Sequence, residues 1–351
     1  MSYNEKSAFR PSGHLFPTLR FADRSTRSHV LMAVSRIHTL LLATVVVGLV
    51  SSVAVCVSVA AELDAKRQPP LSRKEVIRHC GPRTVDIEIL GHDTEGKWIS
   101  HAAGTILHED GYILTCEHVT HPGDSQKVIL ADGTSYPYKV LARAGGSYDT
   151  AILKVDPKEK LPAVQLGHSD SVKLGEQATV IGNPSGRRHS VKQGVIDRVA
   201  CGGGTQIQIS QADIGPGNSG GPVFNSRGEQ IAHVHVKIWT QKNISRHIRV
   251  DHVRDAFAKV FSNEDRYKQR LGIAVDCQGD AATVLAVEPD SAAAEADIRK
   301  GDVIVELDSM RIGEGYHFGL ALMDHVGSAP LSVRIRRGDQ LIAKKLQPKP
   351  Q

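Results

Sequence analysis

The sequence has no concentrated basic surface, no CxxC pair, no tandem repeat and no low-complexity tract. Its formal charge is +5 over 351 residues, but the excess sits at one end. Residues 1–36 carry Lys6, Arg10, Arg20, Arg24, Arg27 and Arg36 against only Glu5 and Asp23. Beyond the apolar run that follows, the chain is close to neutral. That excludes nucleic acid as the main partner, because phosphate binding needs clustered positive charge. The cysteines follow no framework spacing. Cys56 lies in the apolar run, and Cys80, Cys116, Cys201 and Cys277 are scattered, so they read as isolated buried thiols with no assignable disulfide.

What is present begins with "LLLATVVVGLVSSVAVCVSVAA", residues 40–61, which holds no charged side chain and is long enough to span a bilayer. Basic residues precede it, and "SVAAE" offers small residues spaced for cleavage after Ala60 or Ala61. Two alternatives stand: a signal peptide removed on export (residues 37–61), or an uncleaved anchor that ties the chain to the inner membrane. A start at Met32 gives the proportions of a signal peptide and makes the upstream extension (within 1–36) a start-site artefact. Either way the bulk of the chain is expected outside the cytoplasm, in the periplasm or secreted.

Residues 62–75, with "KRQPPLSRK", read as a linker. From 76 to about 250 short β runs alternate with turn signals. "GTILHEDGYILT" places two strands around Asp110-Gly111, and "VILADGTSYPYKVL" repeats the device at Asp132-Gly133. Roughly a dozen strands at this spacing imply a β sandwich or a pair of barrels. "VDHVRDAFAKVF" then spaces Val250, Val253, Phe257, Val260 and Phe261 as one face of a helix, closing a unit over 76–262. A charged linker over 263–270 leads to a smaller unit over 271–348. That unit has strands at "LGIAV" and "ATVLAVE", short helices at "SAAAEADI" and near 316–325, and a final hairpin.

The chemistry concentrates in "GPGNSGGP", residues 215–222. Glycine at this density lets the backbone bend sharply or approach a ligand. No lysine follows the glycines and strands flank them, so a phosphate cradle does not fit. A serine nucleophile does, provided a base takes its proton and amides face the developing oxyanion. Ser219 is the candidate nucleophile, with the amides of Gly217 and Ser219 aimed into one hollow. His118, in the polar turn that ends the strand of "GYILTCEHV", is the candidate base. Asp149, just before the strand of "SYDTAILKV", is the candidate orienting carboxylate. His, Asp, Ser is one of the known triad orders.

Together "GYILTCEHV", "YDTAILKV", "LGHSDSVKLGEQATVIGNPSG" and "QADIGPGNSGGPVFNSRGE" resemble, in order and spacing, the HtrA/Deg family of trypsin-like serine proteases. The segment "LGIAVDC…VLAVEPDSAAAEADIRKGDVIVELDS" is similar to the PDZ domain that follows the protease in that family. The resemblance spans about residues 76–346. It implies a mostly β chain: a chymotrypsin-like double β-barrel of two six-stranded barrels, with the triad His118, Asp149 and Ser219 in the cleft, followed by an α+β PDZ domain. It also implies cleavage of unfolded or misfolded polypeptides without a cofactor, C-terminal peptides bound at Leu271, Gly272 and Ile273, and a homotrimer. The alternative expectation is a catalytically weak or inactive peptide-binding, chaperone-like protein.

Two stretches depart from the family pattern. "GEQIAHVHVKI" puts His235 where a small hydroxyl residue usually neighbours the triad aspartate. His233 and His235 alternate on one strand and share a face, so His233, His235 and Lys237 are expected to alter the substrate pocket. A packed polar face is the plainer alternative. A metal pair there lacks a third ligand in the sequence, so no metal is assigned. "RHIRVDHV", with Arg246, His247 and Arg249, is also more basic than the family's usual strand. His79, His92, His101, His108 and His121 read as surface residues.

Overall fold

The chain divides into two units, residues 1–68 and 69–351. The computed structural model describes residues 70–237, 243–261, 269–325 and 329–350. The apolar run 40–61 and the basic extension before it lie outside the described residues. Among the described residues no helix is long and apolar enough to cross a membrane.

A short helix, α1 (Arg73–Cys80), opens the described chain. Ser72 and Glu75 cap it reciprocally, each satisfying an amide the other leaves exposed. The linker expected to run to residue 75 therefore ends sooner, and the Ser-x-x-Glu spacing was the signal for it.

Seven strands follow: β1 (Thr84–Asp93), β2 (Gly96–His108), β3 (Tyr112–Thr115), β4 (Ser125–Ile129), β5 (Ser135–Pro137), β6 (Lys139–Ala144) and β7 (Thr150–Lys154). They form one antiparallel sheet in the order β5-β4-β1-β2-β3-β7-β6. Both expected Asp-Gly turns are present. Gly111 and Gly133 have φ of 90° and 89°, and Asp132 accepts the Thr134 amide at 2.8 Å to close its turn. Val85, Ile87, Ile89, Ile106, Ile113 and Leu153 fill the inside of this sheet.

Six more strands close a barrel: β8 (Gln177–Gly182), β9 (Ser190–Cys201), β10 (Gln206–Ser210), β11 (Pro222–Phe224), β12 (Gln230–Lys237) and β13 (Ile244–Arg249). Val180, Ile196, Ile207, Ile209, Val223 and Val234 make its core. The expected pair of six-stranded barrels is thus one closed six-stranded barrel beside one seven-stranded, barrel-like sheet. The extra strand is β5, three residues long, paired to β4 at the sheet edge.

Helix α2 (Val250–Ala256) continues into a single π-helical turn over Phe257–Phe261. Val250, Val253, Phe257 and Phe261 are buried, which is the helical face expected from their spacing. The last unit comprises β14 (Gln269–Arg270), β15 (Ile273–Val275), β16 (Ala282–Val287), α3 (Ala292–Glu295), β17 (Val303–Leu307), β18 (Met310–Arg311), α4 (Gly315–Asp324), β19 (Leu331–Arg337), β20 (Gln340–Leu346) and β21 (Lys349–Pro350). Its main sheet runs β15-β16-β17-β19-β20, with β15 at one edge.

This small unit is docked firmly on the larger one. Every residue of α4 from Gly315 to Met323 is buried. Tyr316 packs against Phe257 with tilted rings, their centroids 5.3 Å apart, and its hydroxyl donates to the Leu107 carbonyl at 3.4 Å. The fully buried Arg254 of α2 donates to the carbonyls of Gly167 (2.6 Å) and Leu166 (3.1 Å) and pairs with Glu314 at 3.3 Å. A buried guanidinium needs acceptors of this kind, because its charge has lost water. Here they engage both terminal nitrogens, while Nε has none among the described residues.

Candidate active site

Strand β3 delivers His118. Thr115 at its end donates to the Ala103 carbonyl at 2.8 Å, and the chain then enters a 3-10 turn over Glu117–Val119 that exposes the imidazole. Asp149 meets it from the residue before β7. Its backbone sits in the left-handed region, φ 37°, rare for a residue with a side chain. This aims the carboxylate at His118 twice. Oδ1 accepts the His118 amide at 3.0 Å, and Oδ2 accepts from Nδ1 at 2.8 Å.

The charges follow from those contacts. Burial pushes the Asp149 carboxyl up, but hydrogen bonds from His118 and the charges of His118 and His233 outweigh it and hold it at about 2. The Asp149 hydrogen bond raises His118 above the ordinary histidine value, against the opposing loss of water. The proton on Nδ1 leaves Nε2 as the acceptor, which a general base needs.

The nucleophile loop is fixed from three sides. Ala103 donates its amide to the Ser219 carbonyl at 2.9 Å, and Asn183 donates to the Gly217 carbonyl at 3.1 Å. Gly220 and Gly221 pair with Val234 of β12, at 2.9 and 2.8 Å. Gly217 (φ 92°) and Gly220 (φ 80°) need their missing side chains, since a Cβ would strike the Asn183 carbonyl and the Thr115 hydroxyl respectively. The amides of Asn218, Gly220 and Gly221 are all engaged within the protein. Those of Gly217 and Ser219, the two expected to face an oxyanion, have no protein acceptor among the described residues. The Ser219 hydroxyl likewise makes no hydrogen bond among them.

The three histidines of the departing strands fall in different places. His235 is part-exposed, with Nε2 3.4 Å from Asp149 Oδ2 and its ring centroid 6.2 Å from that of His118. Its Nδ1 lies 3.0 Å from the Gln206 amide nitrogen. His233 shares that face but is fully buried, and its Nε2 donates to the Asp149 carbonyl at 3.2 Å. It therefore supports the backbone of Asp149 and lines no open pocket. His247 is buried on β13 with Nε2 2.9 Å from the Ser245 hydroxyl. The side chain of Lys237 lies outside the described residues. Of the histidines read as surface groups, His108 is buried, with Nε2 2.8 Å from the Arg311 carbonyl.

Cys116 was missed as a site residue. It is a buried free thiol, as its isolation implied, but it sits under the triad and donates to the Val234 carbonyl at 3.0 Å. Its position two residues before His118 was the available signal.

Residues 102–232 match the signature of a trypsin-like peptidase domain, and residues 269–346 match that of a PDZ domain. The two matches in this order support an HtrA/Deg-type arrangement, a trypsin-like serine protease domain with a C-terminal PDZ domain. It is 32% identical over 242 residues to a probable periplasmic serine endoprotease, DegP-like, of Halomonas elongata, covering 63% of this chain and 50% of that protein. A protein of the same name from Pseudomonas savastanoi is 30% identical over 71% of this chain and 56% of its own length. The putative serine protease HhoB of Synechocystis is 28% identical over 71% of this chain and 66% of its own. The chain spans about half the length of the first two HtrA relatives. A solved serine endoprotease from Yersinia pestis overlays with a TM-score of 0.48 and 23% identity, over 81% of this chain and 100% of its own.

Within this site, Asp149→Asn is expected to lower kcat about 10^4-fold at neutral pH, because the amide favours the wrong imidazole tautomer. Steady-state hydrolysis of a peptide substrate measures it; a loss under tenfold contradicts the assignment of Asp149.

Proposed function

We propose that this chain is a serine endopeptidase that acts outside the cytoplasm on unfolded or misfolded polypeptides. In the reaction, Ser219 Oγ attacks the scissile carbonyl while His118 Nε2 takes its proton. Asp149 holds the imidazole and stabilises its charge. The Gly217 and Ser219 amides receive the oxyanion, and His118 then protonates the leaving amine. Water completes hydrolysis of the acyl-enzyme by the same route. The observation that carries this reading is the pair of uncommitted amides flanking Asn218, in a loop whose neighbouring amides are all engaged. No cofactor is required.

The PDZ-type unit is proposed to bind C-terminal peptides by strand addition at β15, an edge strand of its sheet. Gly272 (φ 68°) supports this, turning the chain sharply between Leu271 and Ile273, and a Cβ there would strike Ser291. Periplasmic location draws support from the names of the relatives. A homotrimer and attachment to the membrane through 40–61 belong to the same proposal, as does the division of the chain between 262 and 271. Helix α1 extends the first unit before 76, and β14 and β21 extend the second to 269 and 350.

The free Ser219 hydroxyl favours one rival, a peptide binder with a resting or inactive catalytic site. Unpaired nucleophiles also occur in ligand-free enzymes that tighten on binding. The full chain mixed with unfolded casein, without ATP, separates the two. The peptidase reading expects fragments that accumulate with time; intact casein, with and without a C-terminal peptide ligand, supports the binder.

A further inference from the structure

Four metal-ligating side chains converge beneath the candidate cleft. Cys116, His118 and Asp149 each place one donor atom within 4.8 Å of the others'. His235 brings Nε2 to 3.4 Å from Asp149 Oδ2, the oxygen that His118 Nδ1 approaches at 2.8 Å. The missing third ligand for a histidine metal site is therefore supplied from strands distant in sequence. His233 takes no part, being committed to the Asp149 carbonyl.

We propose that a single borderline-soft divalent cation, of which Zn2+ is the type, binds at Cys116 Sγ, His118 Nδ1, Asp149 Oδ2 and His235 Nε2 and switches the site off. The donor set suits this ion and no hard cation: one thiolate, two imidazoles and one carboxylate. A tetrahedral ion with bonds of about 2.0–2.3 Å separates its donors by roughly 3.3–3.8 Å. The His118–Asp149 gap thus opens by about half an ångström, while Cys116 and His235 close in. The ion enters from the cleft side, where His118 and His235 are partly exposed.

The protein has a partner for each proton that must move. The Cys116 thiol gives up its proton to solvent on binding, as thiolate ligation requires. Val234, which loses that donor, still accepts the Gly220 amide at 2.9 Å. His235 moves its proton from Nε2 to Nδ1, and Gln206 turns its amide so that the oxygen accepts it. Such a second hydrogen bond is the usual support of a ligating histidine. His118 moves its proton from Nδ1 to Nε2. In that tautomer Nε2 has no lone pair for the Ser219 proton, so the base is removed without any change in the fold.

Full-length Ser219→Ala keeps all four donors and allows a metal titration without turnover. With Co2+ as the probe, the expected result is one ion per chain and a thiolate-to-cobalt absorption band. Cys116→Ser in that background loses the band, and His235→Thr weakens binding at least tenfold. On the active chain Zn2+ inhibits where Mg2+ and Ca2+ do not, and a chelator restores the rate. Each variant is compared with its own metal-free rate, and Cys116→Ser and His235→Thr each raise the inhibitory Zn2+ concentration at least tenfold. Should a substitution prevent folding, the band on the Ser219→Ala chain decides alone. No thiolate band there, or equal Zn2+ inhibition of all three active forms, overturns the proposal. The inhibition arm rests on the peptidase reading; the cobalt arm does not, so the two can fail separately.

Discussion

Ser219→Ala is expected to reduce kcat for peptide hydrolysis by about 10^5–10^6-fold, the loss typical when a triad nucleophile is removed. The residual rate would come from the oxyanion amides and substrate binding, which a methyl side chain leaves in place. KM should change little, since the hydroxyl makes no hydrogen bond among the described residues and does not shape the loop. His118→Ala should fall to a similar floor, and the double variant should lose little more, because the residues act as one unit. Additive losses would mean that Ser219 and His118 do not work together. The pH profile adds a second signature. His118 must be neutral to act as base and its pKa is raised by Asp149, so kcat/KM should decline as pH falls through a value above the ordinary 6.5.

Acidification from pH 7.5 to 5 is expected to cost about 4–6 kcal/mol of folding stability, from three buried histidines at roughly 2 kcal/mol each. Burial pushes His233 down to about 4 and His247 and His317 down to about 3. In the unfolded chain each titrates near 6.5. Below that pH the unfolded state binds protons the folded state refuses, so the stability these groups contribute is present above 6.5. It is lost progressively as pH falls toward their folded values. His118 works in the opposite sense, because its raised pKa favours the folded protonated form. It offsets part of the loss. Since whole domains are stable by only about 5–15 kcal/mol, the protein should be close to unfolding at pH 5. Urea midpoints at the two pH values measure this; equal midpoints with equal slopes would show that the buried histidines are hydrated or paired.

These two predictions draw on parts of the molecule that were unequally legible in the sequence. The Asp-Gly turns, the strand spacing and the helical face of Val250, Val253, Phe257 and Phe261 are local patterns, and the folded chain keeps them. The glycines around Ser219 carried their own meaning, because only a loop that turns against other backbone needs so many. The stretch after the Asp132-Gly133 turn reads as one strand, but it divides at Tyr138 into β5, which pairs with β4, and β6, which pairs with β7. The pattern of so short a piece does not show where its partner changes. His233 and Cys116 were hidden for a different reason. Alternation along a strand says which residues share a face, not which of them ends beneath another strand's turn. Only the tertiary meeting of β12 with the residue before β7 turned one histidine into a buried prop and left its neighbour at the cleft. The docking of α4 was equally invisible, since an all-round apolar helix does not name what covers it.

The reactivity of the Ser219 hydroxyl is decisive. A fluorophosphonate added to the folded, full-length chain should attach once, and peptide mapping by mass spectrometry should place the adduct on Ser219. Labelling should vanish in Ser219→Ala and slow markedly in His118→Ala. An unlabelled Ser219 in the native chain, with a C-terminal peptide ligand present, would contradict the claim that His118, Asp149 and the Gly217 and Ser219 amides form a working catalytic site.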